Sequence, residues 1–479
     1  MDETKSIMRI AGPTALTGLI LYSRAIISML FIGSIGELEL AAASISIGFA
    51  NITGYSIITG LSMGMEPICG QAFGAKRWSL LALTLQRTLV ILFISCLPLA
   101  LLWLAMEKLL LWCGQDPKVM PVASIYITFS IPDLFAQAIF HPLRIYLRTQ
   151  SITLPLMVCA FIALLLHVPI NFLLVTHMEM GIKGAALASV WTDYNLVFFL
   201  FLYLCFWGTP NRSPDTNLRA VNVSLEFLRG WKALLCLAIP SCFSVCLEWW
   251  WYEFMILLCG LLPNPNPKVA AMGVLIQTTS LLYILPSSIS LGVSTRISNE
   301  LGANMPHRAR RVMIVALSAS SFLGVLSMAF AVSVSSIWGK MFGHDQEVLD
   351  LTSAALPIIG MCELFNCPQT VGCGVLRGCA RPRLGASINL ISFYVLGMPV
   401  AVFLAFYLGF GFLGLWLGLL TADVCCLLSM VYVLFQTNWI AEASRACRLT
   451  AAGTAADHDH LIILSTKTDS DEGRESIGY

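Results

Sequence analysis

Apolar runs of roughly 17–25 residues, long enough to cross a bilayer as helices, recur along almost the whole chain. They cover 12–32, 41–62, 80–106, 119–140, 154–175 and 185–207. After a polar stretch at 209–230 they resume at 234–262, 269–291, 312–338, 349–376, 384–407 and 412–436. Six runs, a linker and six more predict an all-α integral membrane protein with twelve transmembrane helices in two six-helix lobes. The implied divisions are an amino-terminal lobe over 1–207, a cytoplasmic linker over 208–233 and a carboxy-terminal lobe over 234–440. A polar tail over 441–479, with Asp457, Asp459, Asp469, Asp471 and Glu472, is expected to be disordered and cytoplasmic.

Positive charge orients these spans. With the amino terminus inside, the inner segments hold Lys76, Arg77, Arg144, Arg148, Arg308, Arg310, Arg311, Arg377, Arg381 and Arg383 among others, and the outer ones only Lys108, Lys118, Lys183, Lys268 and Lys340. Lys and Arg are retained on the cytoplasmic side, so both ends are expected inside. Within the tail, Asp457 followed by Leu461-Ile462 resembles an acidic dileucine sorting signal. Plasma membrane and vacuolar or endosomal membrane both fit.

The halves match at an offset of 228–230 residues. Gly64 and Gly74 correspond to Gly292 and Gly302, Leu147-Arg148 to Leu376-Arg377, and Gly181, Gly184 and Asp193 to Gly411, Gly414 and Asp423. A unit of six spans returns the chain to its starting side, so the repeats are parallel, related by an axis along the membrane normal. That arrangement puts a cavity between the halves.

Composition agrees with this picture. The chain of 479 residues is 57% hydrophobic and 11% charged, against roughly 25% charged in soluble domains. A net charge of +1 gives no reason to expect nucleic acid. The 16 cysteines lack metal-ligand spacing, and most sit in apolar runs as small hydrophobes. No metal and no cofactor is expected.

An ionisable group inside a membrane helix costs at least roughly 2.5–3.5 kcal/mol and needs a reason. The candidates are Asp133, Asp193, Glu248, Glu253, Glu363 and Asp423, with Arg24 and Glu66 nearer helix ends. Glu248 lies midway along the seventh span in CLEWWWYE, where a carboxylate withdrawn from water can trade protons. At about 100° per residue Tyr252 shares its face, while Glu253 lies about 140° away. Glu363 precedes Asn366 and Pro368 on the tenth span, and the proline frees a backbone carbonyl nearby. Asp193 and Asp423 suit a shared packing duty. Asp133 and His167 with Asn171 are candidates for lining the amino-terminal lobe, with buried hydrogen bonding the alternative. Gly60-Leu61-Ser62-Met63-Gly64 spells the nucleophile-elbow pattern, yet in an apolar helix its glycines read as packing contacts. Without a nucleophile-base pair, an enzyme is not expected.

Seven segments carry a family likeness: GELELAAAS (36–44), GLSMGMEPICGQAFGAK (60–76), HPLRIYLRTQ (141–150), VCLEWWWYE (245–253), GLLPNP (260–265), STRISNELGAN (294–304) and NCPQTVGCGVLRGCARP (366–382). They resemble the plant detoxification branch of the multidrug and toxic compound extrusion (MATE) family, over roughly residues 6–440. The resemblance implies two six-helix lobes, alternating access, and efflux of organic solutes in exchange for protons. It also implies that Glu248 matches the seventh-helix glutamate that couples protons in eukaryotic members, and Glu363 a second acidic position on the tenth helix. Bacterial relatives use an aspartate on the first helix, but the first span here has Arg24 and no carboxylate, which favours a carboxy-terminal-lobe mechanism.

The expected function is therefore proton-coupled export or sequestration of organic solutes such as xenobiotics, secondary metabolites or hormones. The expected partners are a small organic substrate, protons as coupling ion and membrane lipid, with no nucleic acid and the chain acting as a monomer. The alternative is a receptor or regulatory scaffold that binds a ligand without net transport.

Overall fold

A computed structural model describes residues 2–206, 230–341 and 345–451. Among these, twelve helices are long and apolar enough to span a membrane. They are α1 (Glu3–Gly33), α2 (Glu37–Gly74), α3 (Trp78–Leu104), α4 (Met120–Thr149), α5 (Leu154–His177) and α6 (Ile182–Phe206) in one lobe. The other lobe holds α7 (Trp231–Gly260), α8 (Pro265–Gly302), α9 (Pro306–Met341), α10 (Gln346–Gly378), α11 (Pro382–Tyr407) and α12 (Gly411–Phe435). Short loops reverse the chain between neighbouring spans, so the start of α1 and the end of α12 share one face, here called the basic face.

Several helices outrun their apolar segments. α2, α4 and α8 continue to Gly74, Thr149 and Gly302 through polar stretches that hydropathy alone assigns to loops. Glu66, Gln71, Arg148 and Asn299 lie on these extensions and are buried there. Gln71 and Asn299 bond across the lobe boundary, and Glu66 meets Arg148 within its lobe and Arg377 across it, which satisfies polar groups that lipid could not.

The repeat is visible as reciprocal contact. A Cβ added to Gly74 would lie 2.0 Å from the carbonyl oxygen of Asn299, and one added to Gly302 would lie 2.1 Å from that of Gln71. Gln71 Nε2 donates to the Gly378 carbonyl at 3.2 Å, and Asn299 Nδ2 donates to the Thr149 carbonyl at 3.2 Å. Gln71 corresponds to Asn299 and Thr149 to Gly378, so each bond is the other's image about an axis between α2 and α8. Within the lobes, Gly184 meets the Leu174 carbonyl oxygen and Gly414 the Ala405 backbone, each at 2.7 Å from an added Cβ. π-helical turns at Phe172–His177 and Phe403–Tyr407 bend α5 and α11 at matching positions.

Lobe contact continues along α2 and α7. Gly60 and Gly64 admit the backbones of Cys242 and Ala238, which would lie 2.5 and 2.3 Å from added Cβ atoms. The nucleophile-elbow pattern is thus a helix-packing seam.

The expectation of a tail disordered from residue 441 needs correction. A further helix, α13 (Trp439–Ala451), packs on the basic face. Trp439, Glu442, Ala443, Ala446 and Thr450 recur at helical spacing and are buried. Glu442 pairs with Arg381 at 3.2 Å, and Arg445 donates to the Ala380 carbonyl at 2.9 Å, closing the end of α10. The dileucine-like segment and most of the linker lie outside the described residues.

Candidate functional site

Glu248 projects from mid-α7 into a cavity of about 240 Å³ at the lobe boundary. The walls come from both lobes: Thr59 and Met63 of α2 and Arg144 of α4 on one side, Tyr283, Ser290, Thr370 and Arg377 on the other. Two groups hold the carboxylate. Asn389 of α11 donates from Nδ2 to Glu248 Oε1 at 2.9 Å, and the Tyr283 hydroxyl donates to Oε2 at 3.4 Å. Asn389 is fully buried and also reaches Ser244 Oγ at 3.2 Å. The α7 backbone is fixed beside the site, because the Tyr394 hydroxyl donates to the Leu247 carbonyl at 2.8 Å.

Glu363 is buried behind this cavity. Asn366 Nδ2 lies 3.3 Å from its Oε2, and the Thr370 hydroxyl donates to Asn366 Oδ1 at 3.1 Å. Since Thr370 lines the cavity, the sequence Glu363, Asn366, Thr370 is a hydrogen-bonded path from the second carboxylate to the cavity wall. Tyr252 packs into the core of this lobe beside α10 and α12, away from the cavity lining. The carbonyl of Leu364, four residues before Pro368, lies against Gly324 of α9, so the proline serves helix packing there.

The amino-terminal lobe has its own polar cluster, remote from this cavity. The Tyr55 hydroxyl donates to Asp133 Oδ2 at 2.7 Å. Asp193 pairs with Arg24 and accepts from Gln137 Nε2 at 3.1 Å. His167 is fully buried between Ser28 at 2.9 Å and Thr192 at 2.7 Å, with Asn171 bonded to its carbonyl at 2.9 Å. Tyr55 and Tyr283 are repeat equivalents, and each donates to a carboxylate, though on different helices. Asp193 and Asp423 are both buried, but only Asp193 has an ion-pair partner among the described residues.

Toward the basic face the cavity ends at an ion cluster whose members the sequence singles out separately, Glu66 as an ionisable group near a helix end and Arg148 and Arg377 as repeat equivalents, without showing that they meet. Glu66 of α2, fully buried, lies 3.1 Å from Arg148 of its own lobe and 3.6 Å from Arg377 of the other. Sequence reasoning missed Asn389 and Tyr283. Asn389 sits in an apolar span with Ser387, Ser392 and Tyr394, and nothing in the sequence sets it apart from them; the 228-residue offset that relates Tyr283 to Tyr55 was the available signal.

Two pseudo-symmetric six-helix lobes around a membrane-embedded cavity with a carboxylate define a secondary transporter. A sequence model of the MatE family matches residues 13–173 and 240–403. Protein DETOXIFICATION 48 of Arabidopsis thaliana is 56% identical over 477 residues, covering 100% of this chain and 88% of that one. Protein DETOXIFICATION 49 of the same plant is 55% identical, covering 96% and 90%. The crystal structure of eukaryotic MATE transporter AtDTX14 superposes with a TM-score of 0.88 at 32% identity, covering 94% of this chain and 99% of that one. The chain belongs to the MATE family and is a multi-pass membrane transporter of the detoxification type.

Proposed function

We propose that this transporter exports or sequesters organic solutes by alternating access in exchange for protons, with Glu248 as the group that both proton and substrate engage. The observation that carries the reading is the placement of Glu248: a membrane-embedded carboxylate, held by Asn389 and Tyr283, that faces a cavity walled by both lobes. Protonation changes what that cavity holds, and a lobe boundary is where such a change biases two conformations. Glu363 communicates with the same cavity through Asn366 and Thr370 and is the second proton site in this scheme.

The contacts at Gln71, Asn299, Glu66 and Arg377 join the lobes on the basic face. We place the basic face in the cytoplasm, on the asymmetry of Lys and Arg, in a plasma, vacuolar or endosomal membrane. The test is flux into proteoliposomes holding the purified chain, driven by an imposed pH gradient. Gradient-dependent accumulation of an organic solute supports exchange, whereas saturable binding without flux would support a receptor instead.

A further inference from the structure

The charges that line the cavity do not balance. Arg144 and Arg377 stand there against Glu248 alone, two guanidiniums to one carboxylate. Arg377 and Arg148 share Glu66, but Arg144 makes no ion pair among the described residues. Its Nη2 lies 3.2 Å from the His141 ring nitrogen Nδ1, its guanidinium stacks over Phe140 at 5.4 Å, and its Nε is buried without a hydrogen-bond partner. Both Arg144 and Arg377 line the cavity that Glu248 lines. A guanidinium that faces a cavity without a carboxylate partner is open to an anion, and its planar fork suits a carboxylate.

The cavity is also elongated. Along α7 its wall runs from Ser241 to Trp249, about 12 Å of helix, with Glu248 at one end and the arginines toward the basic face. Hydroxyls of Thr59, Ser244, Ser287 and Ser290 also line it.

We propose that this cavity takes an organic acid: a substrate whose carboxylate or sulfonate docks on Arg144, with Arg377 close by, and whose other end presents a hydrogen-bond donor to Glu248. The inference rests on the transport reading and names the substrate class for the same site. A donor or amine at Glu248 competes with the proton there, while the acidic end is held by charges that take no part in that competition. Whenever Glu248 carries a proton, the positive excess grows by one, so the acid end stays bound through the step in which the other end is released.

The test uses a matched fluorescent pair, 6-amino-2-naphthoate and 6-amino-2-naphthamide, which differ only in the acidic group. Binding to the purified full chain is measured by titration, and flux of each into proteoliposomes is measured under a pH gradient. The carboxylate is expected to bind at least roughly tenfold more tightly than the amide. Arg144→Gln is expected to erase that preference with an unchanged melting temperature, and Arg144→Lys to retain part of it. Equal affinities, no saturable binding of the carboxylate, or a preference that survives in Arg144→Gln would overturn the proposal. The wild-type comparison stands even if a variant fails to fold. Gradient-driven flux without acid preference contradicts this inference alone, whereas acid preference without flux contradicts only the exchange reading.

Discussion

Arg148 and Arg377 occupy the same position of the two repeats, and both turn to a single carboxylate, Glu66, at 3.1 and 3.6 Å. The symmetric position to Glu66 is Ser294, so the cluster has one acid for two bases. It ties the lobes together on the basic face while leaving positive charge in excess, and opening that face must part Arg377 from Glu66. Glu66→Gln is expected to lower stability by about 3–5 kcal/mol, because it strands a buried guanidinium at Arg148. Thermal unfolding in detergent measures the loss. Adding Arg148→Gln should recover part of it, and no recovery would mean that the pair is not the cause.

Gly74 and Gly302 make reciprocal backbone contacts across the lobe boundary, so alanine at either should have the same consequence. An added methyl at 2.0–2.1 Å from a carbonyl oxygen must push the lobes apart, at a cost of roughly 1–3 kcal/mol. Gly12→Ala is the control, since nothing lies within 4 Å of a Cβ there. Melting temperatures of the three variants check this: Gly74→Ala and Gly302→Ala should fall together, with Gly12→Ala unchanged.

Asp193 and Asp423 share a repeat position but have different surroundings. Asp193→Asn leaves Arg24 without its carboxylate and is expected to cost about 3 kcal/mol, whereas Asp423→Asn, with no ion pair to break among the described residues, should cost less. Circular dichroism melts of both variants give the comparison. A larger loss for Asp423→Asn would show that sequence equivalence outweighs the pairing seen in the structure.

Much of the fold was legible because lipid imposes a strong pattern. A span must be apolar along its length, and twelve such runs, with a common offset between halves, determine helix number and the parallel repeat. The pattern ends where lipid contact ends. The polar extensions of α2, α4 and α8 are covered by protein, so hydropathy stopped short of Glu66, Gln71 and Asn299. α13 was missed for a related reason: its buried stripe of Trp439, Ala443 and Ala446 is too sparse to stand out in a polar tail. At the site, Glu248 announced itself as a charge within an apolar run. Asn389 and Tyr283 did not, because a neutral polar side chain in a span gives no indication of which helix it faces.

Distances rank the two groups that hold Glu248. Asn389 donates at 2.9 Å and Tyr283 at 3.4 Å, and hydrogen bonds weaken beyond about 3.2 Å. Asn389→Leu is expected to reduce gradient-driven flux roughly tenfold, the scale of one charge-assisted bond. Tyr283→Phe should reduce it less, and Asn389→Gln should retain part of the activity. Initial rates at matched protein density decide the order, and a Tyr283→Phe defect exceeding that of Asn389→Leu would reverse it.

The central claim is that Glu248 couples proton to substrate, and the most direct measurement is initial-rate flux through Glu248→Gln in proteoliposomes with and without a pH gradient. Glutamine keeps the side-chain volume and can still accept from Asn389, but it cannot gain or lose a proton. The expected result is a variant that reaches the membrane at normal density, shows no gradient-driven flux and binds substrate with affinity less sensitive to pH, while Glu248→Asp retains some activity. Undiminished gradient-driven flux through Glu248→Gln would contradict the claim and move the coupling role to Glu363.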